Sequence, residues 1–164
     1  MATDQDEIFM RRAIDLAKQG DRDPGGSPIG CVIVLDGKVI GEGFNETHMN
    51  HDPTAHGEVV AMRRAGQAVG NWELRGATLY STLQPCGMCS MASIWAKIGR
   101  IVYGAERHQV HKLYFEDRHL STEDYIRDAY RGDLTMEGGL LAEECARLYY
   151  GPHDDPPFDE QANL

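Results

Sequence analysis

The chain has 164 residues, of which 41% are hydrophobic and 26% charged, with a formal net charge of −10 and a pI near 5.0. That length suits one domain able to bury a core without disulfides or metal to keep it folded, and no apolar run reaches the roughly 18 residues of a membrane span. The acidic balance offers no basic footprint for a polyanion and disfavours a nucleic-acid partner; the acidic, amphipathic N-terminus shows no secretory pattern, so a cytoplasmic setting is expected.

Ile8, Phe9, Ala13, Leu16 and Ala17 recur at helical spacing and predict a helix over 4–20, closed by Gly20 and the turn-rich DRDPGGSPIG. IGCVIVLDGKVIGEGFN reads as strands at 29–35 and 38–44 joined by a hairpin turn at Asp36-Gly37. DPTAHGEVVAMRRAGQAVG predicts a helix with Thr54 as N-cap and Gly70 as stop. GATLYSTL is a short strand, CGMCSMASIWAKIG an amphipathic helix ending at Gly99, and RIVYGA another strand. This alternation predicts an α/β fold with parallel pairing, helices on both sheet faces and the hairpin as an antiparallel edge.

Past Ala105 the pattern loosens. ERHQVHKLYFEDRHL is polar with an aromatic cluster, STEDYIRDAYRG opens like a capping box, DLTMEGG is a candidate last strand and LLAEECARLYY a last helix. The organisation is one domain over 1–150 and a tail over 151–164, GPHDDPPFDEQANL. With three prolines, four acidic residues and no lysine or arginine, the tail is expected to be mobile unless a partner surface orders it.

The four cysteines do not form a small secreted disulfide framework: two make Cys86-x-x-Cys89, while Cys31 and Cys145 lie far apart in apolar contexts and read as buried hydrophobes. Taken alone, the close pair fits a thioredoxin-like redox motif, and His56 fits a helix-start histidine satisfied by backbone. Together His56, Cys86 and Cys89 supply one nitrogen and two sulfurs, a set suited to tetrahedral zinc with one position left open, which points to catalysis rather than a closed structural site. Each ligand group opens a helix, and the positive dipole end there favours the thiolates. Glu58, two residues after the histidine, is then disposed toward a water at the open position, where a carboxylate can shuttle protons.

His56-Gly57-Glu58 with Pro85-Cys86-Gly87-Met88-Cys89 matches the H-x-E and P-C-x-x-C signature of zinc nucleobase deaminases. The chain resembles the cytidine deaminase superfamily from about Ala13 to Ala105, and more weakly to Tyr150. The resemblance implies a three-layer αβα sandwich around a mixed five-stranded sheet, hydrolytic deamination, zinc held by His56, Cys86 and Cys89, and Glu58 as proton shuttle. It also implies a homodimer, with Tyr149 or Tyr150 available to complete a neighbour's pocket.

Three subfamilies compete for the substrate. HDPTAHGE and EGGLLAEECARL resemble the tRNA adenosine deaminases, whose basic C-terminal helix is replaced here by an acidic tail, so a tRNA substrate is disfavoured. Gly57, where most relatives have alanine, is shared with fungal-type cytosine deaminases. From SIWAKIG through YGAERHQVHKLYFED the chain lies without a gap beside bacterial guanine deaminases, bringing Trp95, Glu106, Phe115 and Asp117 onto matching positions. That resemblance gives Asp117 the part of a carboxylate closing over the base, and Phe115 a stacking part. Asn45 resembles the family's substrate-binding asparagine, able to donate and accept, and Ile29 and Trp95 are candidate apolar walls. The expectation is a zinc aminohydrolase acting on a small free nucleobase, guanine first and cytosine next. The rival from another class is a zinc-binding module without turnover.

Overall fold

The computed structural model describes residues 3–22, 27–115 and 121–157. Helix α1, Asp4–Gly20, starts from a capping box between Thr3 and Asp6 and buries Met10, Ala13, Ile14 and Ala17; Ile8, on its outer face, stays exposed. Strands β1, Gly30–Leu35, and β2, Lys38–Phe44, form the expected hairpin. Asp36 and Gly37 both take positive φ, 50° and 74°, the geometry that matches a two-residue turn to strand twist.

Next come α2, Thr47–Asn50, and α3, Gly57–Val69, which ends on left-handed Gly70 as its sequence requires. Strand β3, Thr78–Leu83, leads to α4, Gly87–Trp95, then β4, Arg100–Ala105. Helix α5, Thr122–Asp128, strand β5, Thr135–Glu137, and helix α6, Ala142–Ala146, complete the order. The sheet runs β2-β1-β3-β4-β5, with β1 antiparallel to both neighbours and β3, β4 and β5 parallel. Alternate residues of β1 feed opposite cores, as strand pleating demands. Val32 and Val34 pack with Met10 and Ile14 of α1, and Cys31 and Ile33 pack with Ala61 and Ala65 of α3. The result is the expected αβα sandwich.

Helix α3 lies unusually close to the sheet because β2 presents glycine there. A Cβ at Gly41 would stand 2.3 Å from the Ala61 carbonyl oxygen, and one at Gly43 2.6 Å from that of Gly57.

Several expected boundaries move, each for a local reason. Thr54 does not cap α3: the Asp52 carboxylate accepts both its N–H and its hydroxyl, at 2.8 and 2.6 Å, and the helix starts three residues later with His56 as N-cap. Helix α4 stops at Trp95, four residues before Gly99. Lys97 turns to φ 60°, and the Arg131 guanidinium donates to the carbonyls of Ile94 and Ile98 at 3.3 and 2.9 Å. Ser121 precedes α5 without a side-chain cap bond, so the expected capping box does not form. Cys31 and Cys145 are buried and unpaired, as read. Tyr149 is buried in its own chain, its hydroxyl 2.6 Å from that of Thr82, which removes it as a contributor to a neighbour's pocket. In the tail, Gly151 donates to Asp154 at 2.6 Å and Pro156 is buried, so the segment expected to be mobile begins by packing on the domain; 158–164 lie outside the described residues. Among the described residues no helix is long and apolar enough to cross a membrane.

Candidate metal centre and active site

The helices α3 and α4 meet at their N-termini beside the carboxyl ends of β3 and β4, the end of an α/β sheet where sites form. His56 is the N-cap of α3 and Cys86 the N-cap of α4, both with extended backbone. Their carbonyls take the first helical N–H groups, of Val60 and Ser90, each at 2.9 Å. Both side chains therefore sit where free N–H groups and the positive dipole ends converge. Cys89, one turn into α4, completes a cluster whose ligand atoms all lie within 4.8 Å of one another.

The distances fit zinc. Nδ1 of His56 is 3.6 Å from Sγ of Cys86 and 3.7 Å from Sγ of Cys89, and tetrahedral zinc with ordinary bond lengths sets such N···S edges at about 3.6 Å. The Cys86 thiol is lowered to about 4, chiefly by the hydrogen bond from Cys89 and then by His56. Cys89 is driven upward by the same pairing and by burial.

Glu58, in the first turn of α3, is 3% exposed. One carboxylate oxygen accepts from the Cys89 thiol at 3.4 Å and the other from the Ser81 hydroxyl at 3.3 Å. Burial raises its pKa, and the Cys86 charge adds to the effect. Asn45 is buried, and its Oδ1 accepts the Gly57 N–H at 2.8 Å, so it steadies the start of α3. Ile29 accepts the Asn45 N–H through its carbonyl at 3.1 Å. A Cβ at Gly57 would lie 2.8 Å from that same carbonyl oxygen, so alanine there would have to displace the backbone entering β1. Gln84, just before the Pro-Cys motif, donates to Thr122 at 3.1 Å and accepts from the Arg107 N–H at 3.2 Å, tying the segment after β4 to the site.

The Cytidine and deoxycytidylate deaminase zinc-binding region matches residues 3–105. The chain belongs to this family. It is similar to a tRNA-specific adenosine deaminase of Buchnera aphidicola, 37% identical over 145 residues, covering 88% of this chain and 86% of the relative. It is also similar to a guanine deaminase of Bacillus subtilis, 39% identical over 117 residues and covering 71% and 75% of the two chains. A solved structure from studies of A-to-I editing by tRNA:A34 deaminases shares 35% identity at a TM-score of 0.73, covering 86% of this chain and 98% of its own. Family and ligand set together make this chain a zinc-dependent deaminase.

Within this deaminase the structure gathers His56, Gly57, Glu58, Cys86, Cys89, Asn45 and Ile29 around one sheet end. It does not bring in Trp95, which closes α4 at the end away from the cysteines and is 67% exposed. Phe115 is buried in the α1-side core, with the Arg107 guanidinium 4.3 Å from its ring centre, so that face is taken by a cation. Asp117 lies outside the described residues. Sequence reasoning passed over Ser81 and Gln84. The signal for Ser81 was a hydroxyl in a short strand flanked on both sides, where buried polar atoms must find partners.

Proposed function

We propose that this deaminase hydrolyses the amino group of a free nucleobase, guanine first, releasing ammonia. His56, Cys86 and Cys89 hold the zinc and Glu58 moves the protons. The observation that carries this reading is the buried Glu58 carboxylate, 3.4 Å from the Cys89 sulfur and hydrogen-bonded by serine and cysteine. Zinc held by such a set lowers the pKa of a water to about 7 and so supplies the nucleophile. The Glu58 carboxylate, its pKa raised by burial, would accept one proton from the attacking water and pass it to a ring nitrogen, then carry a second, from the hydroxyl added to the ring carbon, to the departing amine. With its Oδ1 committed to Gly57, Asn45 offers its Nδ2 protons to an acceptor on the base. Asp117 keeps the part of a carboxylate closing over the N–H edge of guanine.

The net charge of −10 and the acidic tail support a small substrate over a polyphosphate. Four unpaired cysteines suit a cytoplasmic setting. An open, mostly apolar groove between α3 and α4, lined by Met62, Trp72 and Ala92, supports a homodimer. A tRNA adenosine is the second reading, favoured by the similarity to the Buchnera aphidicola enzyme, which extends over 145 residues against 117 for the guanine deaminase. Ammonia release from guanine, cytosine, adenine and their nucleosides, run beside inosine formation in tRNA, separates them. Turnover of guanine with none of tRNA is the expected result; inosine in tRNA without free-base turnover would overturn the free-base proposal. A zinc-loaded chain silent on the whole panel would overturn both substrate readings.

A further inference from the structure

Ser81 stands in the middle of β3, fully buried, with its backbone registered against Cys31 of β1 and Tyr103 of β4. Its neighbours Tyr80 and Thr82 direct their hydroxyls to Asp6 and Tyr149. Ser81 points the other way, with Leu79, toward the layer of α3 and α4, a core built largely of apolar side chains. A hydroxyl there is costly unless bonded, and its partner is the Glu58 Oε1 atom at 3.3 Å.

Two side-chain donors to Glu58 among the described residues, Ser81 and Cys89, are not equivalent. Cys89 belongs to the ligand set, and a thiol that ligates zinc gives up its proton. Ser81 lies outside the ligand set, so its bond to the carboxylate does not compete with metal binding. We propose that Ser81 is a positioning residue: its hydroxyl anchors one oxygen of Glu58 and thereby presents the other to the open coordination position. The inference rests on the shuttle role of Glu58.

Threonine and valine share a shape and differ by the hydroxyl, so Ser81→Thr and Ser81→Val isolate the bond, with Glu58→Gln as reference. The readouts are zinc content, kcat and KM for the fastest substrate of the panel above, and crystal structures of the zinc-free and zinc-loaded proteins. Ser81→Thr is expected to stay within about 3-fold of the parent. Ser81→Val should lose roughly 10- to 30-fold in kcat at nearly unchanged KM, with full zinc, and its Glu58 carboxylate should turn away or lose a single orientation. Equal kcat and equal carboxylate geometry in the two variants would overturn the proposal, as would a Ser81→Val defect explained by zinc loss. A fully active Glu58→Gln would instead remove the shuttle reading itself. An inactive Glu58→Gln beside matched Ser81 variants would remove only the role of Ser81.

Discussion

Glu58 and Asp6 are each 3% exposed, but Glu58 lies the deeper of the two, and their surroundings push them in opposite directions. Burial alone would raise the Asp6 carboxyl, but Arg100 at 2.8 and 3.3 Å, with Tyr80 and Thr3, outweighs it and holds the group well below the usual carboxylate range. Arg100 then passes to Glu137 at 3.1 Å, so α1, β3, β4 and β5 are tied by one ionic network. At Glu58 burial, with the Cys86 charge added, raises the pKa, and its hydrogen bonds, the one from Cys89 among them, only partly offset the rise. A buried acid held by an arginine serves the fold; one buried beside the ligand set is placed to exchange protons with what binds there.

Substitutions that separate the two regions sharpen this contrast. The largest effect is expected for Cys86→Ala, which should lose zinc by metal analysis and with it all measurable ammonia release. Glu58→Gln should retain zinc while kcat falls about 1000-fold, and its melting temperature should hold or rise because a buried carboxylate has been removed. Full turnover in this variant would place the protons elsewhere. Asp6→Asn should do the reverse, costing roughly 3 kcal/mol of stability in denaturant titration with kcat per folded molecule unchanged. The smallest effect is in pH. Folding lowers the pKa of Asp6, so its stabilisation is complete above about pH 4, the unfolded value, and is lost as pH falls toward the folded value. Asp6→Asn should therefore flatten the acid limb of the stability curve. An unchanged slope would mean that other carboxylates carry it.

Features encoded within a few residues are legible in the sequence. Helical spacing and Gly20 delimit α1, Asp36-Gly37 makes the hairpin, and the H-x-E and P-C-x-x-C pieces name the ligands. What escaped depends on side-chain contacts, some local and some between residues distant in sequence. The N-cap of α3 moved because Asp52 captured Thr54, and α4 ended early beside Arg131 from beyond β4. Trp95 looked like a pocket wall because the resemblance placed it there, although it lies at the end of α4 away from the cysteines, and Phe115 looked available because Arg107 could not be seen stacked on it. Ser81 became visible only when β3 was set beneath α3.

The central claim is a three-ligand zinc centre with a fourth position open beside Glu58, and X-ray absorption at the zinc edge of the purified protein tests it most directly. The account predicts one zinc per chain with two sulfur scatterers near 2.3 Å and two nitrogen or oxygen scatterers near 2.0–2.1 Å, one of them exchangeable with an added inhibitor anion. A shell with three or four sulfurs, or a fourth scatterer that no ligand displaces, would contradict it.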